Sequence, residues 1–315
     1  MPTLRGSVGR RAVQARSLAG LLLLWASAAY AAEDQKITFH FNPPDGTALV
    51  ETVSTTKVVD MGASTKQTQR GETKGKVTFR RMGSGYTVSA TLTSVKVTRN
   101  GKPITDPMLS GLVGRTVAYD VSDDGQLERV RGVAEVVEAI RKQLPPAALR
   151  TLGDTLTEDA WIQRETTEWN GRIGGFAGAS VTLGETWMTT DEYPLPSGDS
   201  LTFYSATTFA ANEKRAGHDC VRITFRYDTD ATALAKLLGK KAEELQSLGM
   251  LPGKPPKVAG AQLTGSGYRI IDPKTMLLYD EVIRRSVVMR MDIPGKGRVT
   301  ITSDETRQYT REYTK

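Results

Sequence analysis

From Lys36 onward the chain is dominated by two-residue alternation. Ile37, Phe39 and Phe41 alternate with Thr38 and His40, the pattern of a half-buried strand. Leu49 to Asp60 is rich in Val and Thr and predicts a second strand, and Met61-Gly62-Ala63-Ser64 predicts a turn. Tyr86, Val88, Ala90 and Leu92 alternate with Thr and Ser, after which the apolar phase moves to Val95 and Val97. One extra residue near Thr93-Ser94, a β-bulge, accounts for the shift. Asn100-Gly101 is a hairpin turn, because both residues tolerate positive φ. The first part of the chain therefore predicts a meander of long antiparallel strands.

One stretch breaks the alternation. After a hairpin over Val117 to Val130 that turns at Asp123-Asp124-Gly125, the period changes to 3.6. Val133, Val136, Val137, Ile140 and Leu144 share one helical face, and Glu135, Glu138, Arg141 and Lys142 take the other. Glu138 stands four residues before Lys142, the favourable order for a helical ion pair. Pro145-Pro146 ends this helix, and Pro146 opens a short second one ending near Gly153. Thr155 with Glu158 fits a capping box for one or two further turns. Trp169 to Ser180 carries Gly171, Gly174, Gly175 and Gly178 without a following Lys-Ser or Lys-Thr pair, so it is not a phosphate loop. It reads as a flexible connection between two lobes or as a loop over a pocket.

Strands resume at Leu201–Ala210 and Cys220–Tyr227. Asp228 or Asp230 then caps a helix with Leu234, Leu237, Leu238, Leu245 and Leu248 on its apolar face, which Gly249 and Pro252 stop. Tyr268–Ile271, Leu277–Met291 and Arg298–Arg307 give closing strands. The expected fold is α+β: mainly antiparallel curved β-sheets in two lobes, with two inserted amphipathic helical segments. The expected divisions are a leader over 1–31, a β lobe over 32–170 with its helical segment at 132–152, and a second β lobe over 171–315 with a helix at 231–248. The two lobes are compatible with one continuous domain.

The leader changes the reading of charge. Arg5, Arg10, Arg11 and Arg16 precede the short apolar run Leu18 to Trp25, and Ala29-Tyr30-Ala31 fits a small-x-small cleavage site. The whole chain carries a net charge of +7, and loss of those four arginines leaves +3. The high isoelectric point is then no nucleic-acid signal. The leader predicts a periplasmic or extracellular protein without a lipid anchor, since no Cys lies at the cleavage site. No later stretch is apolar enough for a transmembrane anchor. Cys220 is the only cysteine, so no intrachain disulfide is expected, and the chain is long enough to bury a core without one.

Candidate chemistry is sparse. His40 and His218 are the only histidines, which limits metal and acid–base proposals. His40 reads as an exposed strand residue. His218-Asp219-Cys220 puts an imidazole and a thiol on one strand face, but residues two apart on a strand rarely reach hydrogen-bond geometry, and a buried structural Cys is the simpler reading. Asp191-Glu192 and Asp304-Glu305 read as solvated surface. No catalytic residue, metal ligand or cofactor is expected. The basic run Lys66, Arg70, Lys74, Lys76, Arg80 and Arg81 suits an anionic headgroup or polysaccharide, or a charged edge strand that discourages sheet-to-sheet pairing.

Tyr268-Arg269-Ile270-Ile271-Asp272-Pro273-Lys274-Thr275-Met276-Leu277 resembles the late strand pair of a broad class of exported bacterial proteins of unknown function, in which a Gly usually follows the Thr. Met276 stands there in this chain. The layout is also loosely similar to half-barrel lipoprotein-carrier proteins, in which helices close a curved sheet around an apolar cavity. That resemblance implies a cavity lined by Val133, Val137, Ile140, Leu144, Leu234 and Leu238, with a lipid or another envelope protein as partner. The expected function is a non-enzymatic cell-envelope protein binding a hydrophobic or amphipathic ligand. A structural or protein-interaction module of the envelope is the alternative, ahead of a hydrolase.

Overall fold

The computed structural model describes residues 36–62, 66–194, 200–247, 254–295 and 297–314. The expected leader lies outside these residues, as do Ala63-Ser64 of the first turn and Leu248, Gly249 and Pro252 at the end of the last helix. Residues 34–315 form one compact unit.

The strands are β1 (Lys36–Thr38), β2 (Ala48–Asp60), β3 (Lys66–Met82), β4 (Gly85–Arg99), β5 (Lys102–Ile104), β6 (Thr116–Ser122), β7 (Leu127–Arg131), β8 (Ser180–Thr182), β9 (Thr186–Pro194), β10 (Ser200–Arg215), β11 (His218–Thr229), β12 (Lys257–Ile271), β13 (Leu278–Ile293) and β14 (Gly297–Thr314). The helices are α1 (Pro107–Leu112), α2 (Val133–Gln143), α3 (Pro146–Leu152), α4 (Glu158–Trp169) and α5 (Ala231–Ser247). A 12-stranded antiparallel sheet runs β7-β6-β4-β3-β2-β14-β13-β12-β11-β10-β9, with β5 added to β4. β1 and β8 form a separate two-stranded ribbon. The fold is thus α+β, a curved sheet that does not close into a barrel and whose outer strands are β7 and β9.

Two meanders meet at one seam. β2 to β7 step outward in one direction, β9 to β14 return from the other, and β14 pairs β2 over 13 residues from Thr302↔Asp60 to Thr314↔Ala48. Strands of both expected lobes therefore lie in one sheet. The bulge foreseen near Thr93 is present: Lys74 pairs Ser94 while Gly75 pairs Leu92, and the displaced Thr93 hydroxyl donates to the Lys74 carbonyl.

Alternation gives the sheet two faces, and the helices pack on one of them. Val121, Val88, Tyr86, Phe209, Ile223, Ile271 and Leu278 on that inner face form the main core with Phe39, Phe41, Ile173 and Phe176. α2 lies beside it. Val133, Val136, Val137 and Ile140 pack with Val130, Leu156 and Trp161. α5 covers another part of the same face, where Leu234 meets Leu201 and Ala261, with Leu238, Phe203 and Leu263 around them. Asp230 caps α5, accepting from the backbone N–H groups of Thr232 and Ala233.

Two expectations are corrected, and one strand is added. The basic strand β3 is not at an edge: it runs 17 residues between β2 and β4. Lys66, Arg70, Lys74, Lys76 and Arg80 are exposed because all occupy the strand phase that faces away from the core. The edges are β7 and β9, and β9 is a strand the alternation did not announce, because an outer strand needs less apolar patterning: Trp187 packs toward the core and Met188 is exposed. Finally, α4 is a full 12 residues and not a turn or two. Thr157, not Thr155, caps it by accepting from the Ala160 N–H, and Glu158 and Asp159 favour its positive end.

Candidate functional site

The glycine-rich stretch after α4 is not a free linker. α4 widens into a π turn over Asn170–Gly174, closed by the Gly175 N–H donating to the Asn170 carbonyl at 2.8 Å. Ile173 and Phe176 are buried in the main core. A Cβ on Gly175 would stand 2.7 Å from the Asn170 carbonyl oxygen, so this turn requires glycine there. The Trp169 indole N–H donates to the Gly125 carbonyl and ties the turn to the β6–β7 hairpin, where Gly125 has φ +84°.

Beneath this π turn the sheet leaves an open-mouthed cavity of about 190 Å³. Its floor is apolar: Leu49 of β2, Val77 and Phe79 of β3, Val88 and Ala90 of β4, with Met276 and Leu278 beyond. Trp169 and Ile173 form the roof, and Glu51, Tyr119, Glu165, Glu168, Arg172, Arg311 and Tyr313 supply polar walls. This volume lies below the roughly 300–1,000 Å³ of drug-sized sites. It suits a short chain or one end of a longer ligand.

One wall is a buried charge cluster. The sheet register places it: Arg269 of β12 pairs Glu281 of β13, Glu281 pairs Tyr309 of β14, and Arg311 pairs Glu51 of β2. All share the inner face. The Glu281 side chain is fully buried, with Arg269 Nη2 at 3.2 Å, Arg172 Nε at 3.3 Å and Arg311 Nη2 at 3.6 Å. Arg311 Nη2 also reaches Glu51 at 2.6 Å, and the half-exposed Glu168 stands 3.9 Å from Arg172. Arg172 and Arg311 both lie over the Tyr309 ring, at 4.8 and 5.4 Å from its centroid. Arg269 donates to the Gly171 carbonyl, so the π turn is fastened to the cluster from above. Burial alone would raise the Glu281 carboxyl, but Arg172, Arg269 and Arg311 outweigh it and hold the group below the ordinary glutamate value. Burial likewise pushes the Tyr119 phenol up, reinforced by Glu165, whose Oε2 accepts its hydrogen at 2.8 Å.

The residues expected to line a cavity are elsewhere. Val133, Val137 and Ile140 are buried in the α2 cluster with Leu144 packed against it, and Leu234 and Leu238 lie in the α5 cluster. None of the six lines this cavity or a second, open trough of about 640 Å³ bordered by Tyr204, Arg226, Arg284 and Asp304. Helix faces with regular spacing fill space well, and the cavity is left where sheet, π turn and charged side chains meet. His218 Nδ1 stands 3.5 Å from Asp272 Oδ2, while Cys220 is buried and its thiol is pushed up to about 11, first by burial and then by Asp272. The thiol is therefore protonated at neutral pH and is no activated nucleophile. Among the described residues, no group of three His, Cys, Asp or Glu is placed to hold a metal ion, and no helix is long and apolar enough to cross a membrane.

The turn after β12 explains the late motif. Asp272 accepts from the Lys274 N–H and the Thr275 hydroxyl, and Met276 takes φ +57°. A glycine would adopt that backbone without strain. Met276 is 98% buried in the main core, and that burial offsets the cost.

No protein-family model matches the sequence, and neither does any curated protein. Among solved structures the chain is similar to lipovitellin, in a study of its lipid–protein interactions, with a TM-score of 0.43 and 10% identity over 86% of this chain and 25% of that one. The chain thus spans a quarter of lipovitellin. It is also similar to OccK5 (OpdH) of Pseudomonas aeruginosa, with a TM-score of 0.28 and 8% identity over 87% of this chain and 100% of that one. A porin-like protein from Bacteroides uniformis follows at 0.16 and 10% identity, over 88% and 99% of the two chains. At such scores these similarities assign this chain neither a ligand nor a location.

Proposed function

We propose that this chain is an exported, non-enzymatic cell-envelope protein that holds an amphipathic ligand on the inner face of its curved sheet. The reading rests on one observation: a cavity whose apolar floor, Leu49 to Ala90, runs directly into a wall of charged side chains that includes Glu51, Arg172 and the buried Arg311, beneath the Trp169–Ile173 roof. An apolar chain would displace water from the floor, and a polar end would meet fixed charges in a site of low dielectric, where such contacts count for more than in water. The basic leader with its short apolar core and Ala29-Tyr30-Ala31 supports export. A protein-interaction role is the second reading, favoured by β9, whose backbone pairs only β10 on one side among the described residues.

Native mass spectrometry of the protein taken gently from the periplasm tests the first reading. An added mass that disappears on denaturation is expected, and Ala90→Trp, which fills the floor, should abolish it while the chain stays folded. A bare mass, under conditions where a known carrier keeps its lipid, would sink the reading.

A further inference from the structure

We infer that the outer face of β3 is a binding site for a linear acidic polysaccharide, which lies along the strand and is held by Arg70, Lys74, Lys76 and Arg80. The site is on the opposite side of the sheet from the cavity and stands apart from the ligand proposed there. Val77 and Phe79 of β3 line the cavity floor, and Lys76 and Arg80 take the alternate phase.

With β3 in the middle of the sheet, these bases protect no edge. Nor do they serve as structural ion pairs. All four are exposed, and among the described residues none of their side chains has an ion pair or hydrogen bond. The register surrounds them with uncharged residues. On β2, Thr56, Thr52 and Val50 stand opposite Arg70, Lys74 and Lys76. On β4, Thr98, Ser94, Thr91 and Thr87 stand opposite Arg70, Lys74, Lys76 and Arg80.

The outer phase of β2, β3 and β4 carries six bases, these four with Lys66 and Lys96, against two acids, Asp60 and Glu72. Lys66 stands opposite Asp60, and Lys96 opposite Glu72. The excess of four positive charges therefore falls on the row, and it exceeds the +3 that the whole chain carries without its first 31 residues. The next acids on this face, Asp304 and Glu312 of β14, stand two strands from β3, about 10 Å away and near one screening length. Asp120 of β6 is also two strands from β3, and Arg131 already holds it.

The shape of the row selects the partner. It is one strand wide, and from Arg70 to Arg80 it runs about 34 Å at the rise of an antiparallel strand. A line of charge flanked by hydroxyls matches a chain that carries carboxylates or sulfates at intervals with hydroxyls between them. The guanidinium and ammonium groups take the anions, and the flanking Thr and Ser side chains meet the sugar hydroxyls. An anionic membrane presents a plane, which bases spread over several strands would match better. Among the described residues the row also offers only Val50 and, past Arg80, Met82 as exposed large apolar side chains to insert.

Isothermal titration of the mature protein with polygalacturonate, dextran sulfate, neutral dextran and vesicles of phosphatidylglycerol and phosphatidylcholine tests this. At least one of the acidic polymers should bind about tenfold or more tightly than dextran, and its affinity should fall by at least about tenfold when salt rises about fourfold, as counterions are released. Dextran binding as tightly as both acidic polymers would overturn the role of charge. Vesicles binding more tightly than either polymer would overturn the polysaccharide and give the face to a membrane. Failure of both acidic polymers would overturn the site. Two double variants then locate it. Lys74→Gln with Lys76→Gln removes two bases from the row, and Arg226→Gln with Arg284→Gln removes two exposed bases that the register puts on the same face of β11 and β13. The first pair should weaken the acidic polymer about tenfold with the melting temperature unchanged, and the second should leave binding as it was. Equal losses from the two pairs would mean that the polymer answers to net charge alone, and would overturn a site on β3.

Discussion

Among the described residues, Glu281 is the most deeply buried charged side chain. It is fully buried among three arginines, and its ion pairs at 3.2 to 3.6 Å are its only charge compensation. Glu281→Gln would leave those guanidinium groups facing one another, at a cost of about 3–5 kcal/mol, as for other broken buried pairs. Urea unfolding of the two proteins at neutral pH measures it. The effect also has a defined pH dependence. Because the folded carboxyl titrates below its unfolded value of about 4.3, the unfolded chain binds the proton more readily, and stability rises with pH between the two values. The gap between native and Glu281→Gln protein should therefore stay constant from neutrality down to about pH 4.5 and narrow below it. A gap that narrows between pH 7 and 5 would mean that the arginines do not hold this group ionised. Glu281 was legible in part, since it shares the strand phase of Ile283, Val287 and Met289, although the exposed Arg285 shares that phase too. Its partners were not: Arg172 comes from a turn with no strand phase, and only the register across β12, β13, β14 and β2 brings Arg269 and Arg311 alongside.

The elements read from the sequence divide by how much of their order is local. α2 was legible from its apolar face and from the Glu138–Lys142 pair, which forms at 2.6 Å, and the bulge at Thr93 from one change of phase. α4 was legible only as a turn or two after Glu158 and its π turn not at all, because their stability comes from packing under the sheet: among the residues from Trp169 to Phe176, Ile173 and Phe176 bury into the core, while the three glycines there resemble a loop. This assignment makes the glycines unequal. A Cβ on Gly175 would press on the Asn170 carbonyl at 2.7 Å, whereas a Cβ on Gly171 meets nothing within 4 Å. Gly175→Ala should destabilise by about 1–3 kcal/mol, and Gly171→Ala should be neutral or stabilise by up to about 1 kcal/mol, as alanine does in a helix. Thermal unfolding of the two variants decides it. Equal small effects at both positions would mean that the stretch behaves as an unstructured connection.

At the scale of the whole molecule, the question is whether the halves on either side of residue 170 are separable. The core is shared: Phe39, Phe41, Tyr86, Val88 and Val121 precede the divide, and Phe209, Val221, Ile223, Ile271 and Leu278 follow it. The seam is shared as well, with 13 residue pairs between β2 and β14, and so is the charge cluster, in which Glu51 comes from the first half and Arg172, Arg269, Glu281 and Arg311 from the second. Separation would expose one side of the core, leave β2 and β14 as long unpaired edges prone to association, and strip Arg311 of its partner Glu51. Residues 32–170 and 171–315 expressed separately should therefore show no cooperative unfolding transition and should aggregate. Coexpressed, they should recover a single transition, because the contacts that unite them are noncovalent and cover whole strands. Two independent transitions from the separate fragments would show instead that the seam is an interface between finished domains, and the cavity under the π turn would then have to belong to a joint that opens.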